Sequence, residues 1–114
     1  MASCTHTGVI VIVEDPAIRR LVKNVLGRDG HQVVECGAEQ ALRYVTGGKE
    51  PVKLLITNRP QEFSELEDTV PILYLTSSPD WDVARRTRQL RVLQKPFHAK
   101  DLIAAVGDLT GCTT

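Results

Sequence analysis

Residues 8–13, GVIVIV, have no polar member, and every residue after the glycine is β-branched. A strand with one wet face alternates apolar and polar side chains, so an unbroken run of this kind reads as a strand covered on both faces. Covering both faces of a strand requires a layer above and a layer below it. In a short chain the economical solution is a parallel sheet whose crossover helices fall on the two sides.

The rest of the sequence repeats that alternation. Asp15 can cap a helix with Pro16 at its first position, and Ile18, Leu21, Val22, Val25 and Leu26 form an apolar stripe that Gly30 ends. HQVVEC is a second strand. A helix follows with Ala38, Ala41, Leu42 and Val45 on one face, stopped by Gly47 and Gly48. VKLLIT and VPILYLT are the third and fourth strands. Only twelve residues separate Asn58 from Pro71, near the minimum for a parallel crossover, so the third helix is expected to be short or missing. Ser78, Pro79 and Asp80 start a further helix that reaches Leu90 and carries Trp81, Val83 and Ala84 among its arginines. RVLQ is a fifth strand, and the last helix places Leu102, Ile103, Val106 and Leu109 on one face. This predicts one α/β domain over residues 1–114, with its core at about 8–110, built as a doubly wound five-stranded parallel sheet.

Composition narrows the function classes. Acidic and basic residues balance at 14 each, so no global field attracts nucleic acid or a membrane surface. No apolar run is long enough to span a bilayer, and MASCTHT lacks the basic segment of a secretion signal, which predicts a soluble, cytoplasmic protein. Cys4, Cys36 and Cys112 suggest neither a disulfide framework nor a zinc site. His6, His31 and His98 likewise lack metal-ligand spacing. GGKEP is not a phosphate loop, because it ends a helix and has no following Ser or Thr.

In a doubly wound sheet ligands sit at the carboxyl ends of the strands. The residues there are Glu14 and Asp15 after the first strand, Asn58 after the third, Thr76 and Ser77 after the fourth, and Lys95 and Pro96 after the fifth. Two carboxylates can hold a hard divalent cation, and a hydroxyl with a lysine can hold phosphoryl oxygens. Each residue also has a plainer role. Glu14 and Asp15 suit the start of a helix, Thr76 and Ser77 can cap a turn, Asn58 can close a strand, and Lys95 can be a solvated surface group.

With VIVEDPAIRRLV, YLTSSP and QKPF in this order at the ends of these strands, the chain resembles the receiver domain of bacterial response regulators from Val9 to Leu109. The resemblance implies the flavodoxin-like strand order 2-1-3-4-5 and a role in two-component phosphorelay signalling. In such domains an aspartate ending the third strand accepts a phosphoryl group from a histidine kinase, with Mg²⁺ on the acidic pair. By position the acceptor falls on Asn58, the hydroxyl contact on Thr76 and the lysine on Lys95, and the Lys95–Pro96 peptide is expected to be cis. The metal positions fall on Glu14 and Asp15, either of which is open as the direct ligand.

The departures shape the functional expectation. An amide at Asn58 is a poor nucleophile and forms no acyl phosphate. The acidic pair runs directly into PAIR, closer to the helix than in many relatives. The crossover after the third strand is roughly a dozen residues shorter than in the family. Leu93 stands where many members carry a switching aromatic side chain. The chain is therefore expected to be a non-enzymatic, atypical receiver, a pseudo-receiver that is not phosphorylated at the usual position, needs no cofactor and binds Mg²⁺ weakly. Its expected partner is a signalling protein, either a histidine kinase or a downstream effector, or a second copy. The contact is expected on the face made by the fourth helix, fifth strand and last helix, where Arg85, Arg86, Arg88 and Arg91 lie. That arginine run is read as a protein contact in preference to RNA or DNA. Two alternatives are a switch phosphorylated on another side chain, such as Thr57, Ser64 or Ser77, and a structural dimerisation module.

Overall fold

The computed structural model describes residues 8–47, 51–66, 69–77 and 90–110, without the side chains of Pro60 and Ser64. Five strands, β1 (Val9–Val13), β2 (Val33–Glu35), β3 (Val52–Thr57), β4 (Ile72–Thr76) and β5 (Leu90–Gln94), form one parallel sheet in the order β2-β1-β3-β4-β5. Three α-helices lie among the described residues: α1 (Pro16–Arg28), α2 (Ala38–Gly47) and α3 (Ala99–Thr110). The doubly wound arrangement expected from the alternation is the one observed. The helix expected from Ser78 falls on residues 78–89, outside the described residues, and Leu90 already belongs to β5.

The all-apolar strands serve two cores at once. Ile10 and Ile12 of β1, Leu54 and Ile56 of β3, and Leu73 and Leu75 of β4 pack with Val22 and Leu26 of α1 and with Leu102, Ala105 and Val106 of α3. The intervening residues Val9, Val11, Leu55 and Ile72 face the other side and pack with Ala41 of α2, Cys36 and Val70. Because side chains alternate across a strand, a run such as VIVIV is needed to supply both layers.

In place of a third crossover helix the chain makes a 3₁₀ segment, Pro60–Leu66, kinked at Phe63. Short as it is, it buries Phe63 completely and Leu66 almost so, both in the α2-side core. Each buried side chain of this size contributes about 1.5–3 kcal/mol, so two of them do the covering that a full helix would do.

Local signals set the boundaries of α1 with one difference from expectation. Pro16 opens the helix, and the Asp15 carbonyl accepts from the Arg19 N–H at 2.8 Å, but the Asp15 carboxylate makes no capping bond. At the other end Gly30 takes φ +90°, a conformation that L side chains rarely adopt. The apolar stripe also needs correction, because Leu21 is 45% exposed although its period matches Val22 and Leu26. It sits at the edge of the stripe, rotated about 100° around the helix from the buried Val22.

Candidate functional site

Strand register brings the polar residues together. Val13 of β1 is paired with Thr57 of β3, so Glu14 and Asn58 leave adjacent strands side by side. Thr76 of β4 is paired with Gln94 of β5, and the Lys95 N–H donates to the Thr76 carbonyl at 2.7 Å. The Lys95–Pro96 peptide is cis, as the resemblance implies.

The structure separates the two members of the acidic pair. Asp15 is exposed, while the Glu14 side chain is fully buried and its residue as a whole is 8% exposed. Lys95 Nζ donates to both Glu14 oxygens, at 3.2 Å to Oε1 and 3.0 Å to Oε2. Burial pushes the Glu14 carboxyl above its ordinary value. The Lys95 hydrogen bond and charge pull it back, and the neighbouring Asp15 pushes the same way as burial. A carboxylate removed from water needs such a partner, since an unpaired buried charge costs several kcal/mol.

The remaining positions are more exposed than Glu14. Asn58 is half-buried, and the chain turns there because the fully buried Thr57 hydroxyl accepts from the Arg59 N–H at 3.0 Å. Thr76 is half-buried and Ser77 exposed. Leu93 is partly buried against the core that α1 and α3 share, which makes it a packing position. Arg91 forms an ion pair with Asp108, which ties β5 to α3. Arg85, Arg86 and Arg88 lie outside the described residues, as does the side chain of Ser64.

The donor set does not suit a hard divalent cation. Both oxygens of Glu14 face the Lys95 ammonium, which leaves Asp15 as the available carboxylate. Among the described residues no group of three or more His, Cys, Asp and Glu side chains could hold a metal.

One feature of the site escaped the sequence reading. Beside Lys95 lies a cavity of about 280 Å³ lined by Ile18, Leu21, Ser77, Pro96 and Phe97. Phe97 directly after the Lys-Pro pair, with Leu21 three residues beyond Ile18, was the available signal. It is invisible to a stripe analysis that assigns Leu21 to the core. Among the described residues no helix is long and apolar enough to cross a membrane.

No protein-family model matches the chain, and no curated protein is similar to it in sequence. Solved structures do share its fold. The signal receiver domain of an HD domain-containing protein from Pseudomonas fluorescens Pf-5 matches with TM-score 0.77 and 20% identity over 97% of this chain and 92% of its own. A response regulator receiver protein from Sinorhizobium medicae WSM419 matches with TM-score 0.75 and 17% identity over 96% and 98%. A response regulator receiver domain protein from Clostridium thermocellum matches with TM-score 0.73 and 21% identity over 93% and 95%. At these identities the likeness is one of fold, and the fold is that of a receiver domain.

Proposed function

We propose that this chain, built on the receiver fold, is an atypical receiver of two-component signalling that works by binding a signalling protein and takes no phosphoryl group at residue 58. It is a fixed module and not an enzyme. The observation that carries this reading is the bond from Lys95 to both oxygens of the buried Glu14, beside a third strand that ends in an amide. In a phosphorylatable site the lysine and the acidic pair would serve an aspartyl phosphate. Here Asn58 supplies no anionic oxygen, and the lysine neutralises Glu14. The site is thereby satisfied without a phosphoryl group or a metal, and any Mg²⁺ binding should be weak.

Phosphorylation on another hydroxyl has less support. Thr57 Oγ1 is fully buried and already accepts a backbone N–H. Incubation with a small-molecule phosphodonor and Mg²⁺, read by intact mass, tests the proposal. No stable adduct is expected. An adduct mapped to Thr57, Ser64 or Ser77 would replace the fixed module by a switch using that residue. Partner binding is tested by capture with an isolated histidine kinase or effector domain from the source cell. A size that grows with concentration in the absence of any partner would favour self-association instead.

A further inference from the structure

The end of the sheet opposite Lys95 carries a second concavity, built differently. Between the last turns of α1 and the start of β2 lies a cleft of about 340 Å³ lined by Lys23, Asn24, Gly27, Arg28, His31 and Val33. Residues 23, 24, 27 and 28 share one face of α1 by helical spacing. Gly27 leaves the floor open, because a Cβ placed there would meet nothing within 4 Å.

Two full positive charges, Lys23 and Arg28, line this cleft. Several cations elsewhere in the described residues have partners: Arg19 lies 3.9 Å from Glu35, Arg43 2.8 Å from Glu39 and Arg59 3.7 Å from Glu62. Among the described residues the ion pairs include neither Lys23 nor Arg28. Arg28 is not required to cap the helix either, since the carbonyls of Val25, Leu26 and Gly27 already accept from the backbone N–H groups of Asp29, Gly30 and His31. Burial holds the His31 imidazole below its ordinary value, with the Lys53 charge acting the same way, against the opposing pull of Asp29 at 3.5 Å.

Two negative features oppose an anion here, the Asp29 carboxylate and the carboxyl end of the α1 dipole. The dipole end amounts to about half an elementary charge, and Asp29 is turned toward His31, so the two full charges of Lys23 and Arg28 outweigh the dipole end. The cleft is open to solvent and small, near the lower end for a small-molecule pocket, and the chain as a whole has no net charge. Both facts favour a compact anion over a long polyanion.

The geometry points to a binding site for a small phosphate monoester of nucleotide size, with the Arg28 guanidinium and Lys23 ammonium on the phosphoryl oxygens, Asn24 donating beside them, and Val33 against the apolar part of the ester. Arginine supplies a planar fork for two oxygens and lysine a point charge for a third. This site is independent of the one at the carboxyl ends of the strands.

The test is a titration of the intact chain at low ionic strength with AMP, adenosine and inorganic phosphate, followed by amide NMR shifts and calorimetry. AMP should shift the amides of residues 23–33 and saturate, adenosine should not, and inorganic phosphate should bind more weakly than AMP. Lys23→Gln with Arg28→Gln should weaken AMP binding at least about tenfold, as expected for lost charge-assisted hydrogen bonds. Gly27→Leu should do the same while keeping every charge, and because leucine is the better helix former its melting temperature should not fall. Lys100→Gln, on α3, should leave binding unchanged. The proposal is overturned if AMP causes no saturable shift, if adenosine binds as well, or if Lys100→Gln weakens binding as much as the α1 variants do. Equal affinity for inorganic phosphate would overturn the ester assignment.

Discussion

At the carboxyl edge of the sheet the Lys95 ammonium is committed to both oxygens of a fully buried carboxylate, whereas at the opposite edge Lys23 and Arg28 face an open cleft with no ion-pair partner among the described residues. The difference follows from solvation. Glu14 has been taken out of water by the sheet and its covering helices, so the fold must supply a counter-charge at a fixed place. Lys23 and Arg28 are exposed and keep their water, so folding demands no partner for them. A charge that the fold has to neutralise is held for structure, and one that stays solvated is available to a ligand.

That contrast can be broken most forcefully at Lys95. Lys95→Met leaves Glu14 buried and unpaired and should cost about 3 kcal/mol at pH 7.5 in denaturant unfolding, the lower end of the range for a broken buried pair because Lys95 is 21% exposed. The cost should shrink as the pH is lowered. The Glu14 carboxyl is already raised above 4.5 in the folded protein, and losing Lys95 raises it further. Between 4.5 and that raised value the folded state holds a proton that the unfolded state has released, so stability falls as pH rises through the window and returns as it drops. A cost independent of pH would mean that Glu14 is not the group left unpaired.

Asn58→Asp sharpens the same edge with a smaller effect. Two carboxylates about 5 Å apart at an effective dielectric near 20 repel by roughly 3 kcal/mol, partly offset by Lys95. The variant should be less stable than the parent by about 1–2 kcal/mol without metal and should recover with Mg²⁺, since the new carboxylate joins Asp15 as an available oxygen ligand. Thermal melts with and without Mg²⁺ report it. A variant that melts like the parent and ignores the metal would show that residue 58 is held away from Glu14.

At the other edge the expected effects on stability are slight. The His31 imidazole is held below its ordinary value of 6.5, so the folded state binds fewer protons there than the unfolded chain, and its contribution declines as pH falls below 6.5. His31→Gln should flatten that part of the stability profile and leave neutral pH little changed. Smallest of all, Lys23→Gln with Arg28→Gln should stay within about 0.5 kcal/mol of the parent, as befits solvated groups. A large loss would place these cations in the structural class with Lys95.

Much of the architecture was legible because it depends on local periodicity. The all-apolar run of β1 requires two covering layers, Pro16 and Gly30 bracket a helix by their own backbone preferences, and twelve residues between Asn58 and Pro71 leave no room for a full crossover helix. The strand-end residues could be collected from the same pattern. Other details were not local. Leu21 has the period of a core residue and is exposed because it lies at the margin of the helix's buried face, where it lines the cavity with Ile18 and Phe97. The α1 cleft joins a helix face to His31 and Val33 across a turn, a juxtaposition that no single-element pattern contains.

By itself, then, the sequence determined a two-sided parallel sheet with a curtailed third crossover and an amide, Asn58, at the end of its third strand, since hydrophobic period, turn chemistry and residue identity are properties of short segments. Only the tertiary structure decided which carboxylate is buried and what neutralises it. Glu14 and Asp15 are neighbours of similar chemistry, and their difference arises from desolvation by the packed sheet together with a lysine 81 residues away, brought within 3.0 Å by the pairing of β1, β3, β4 and β5.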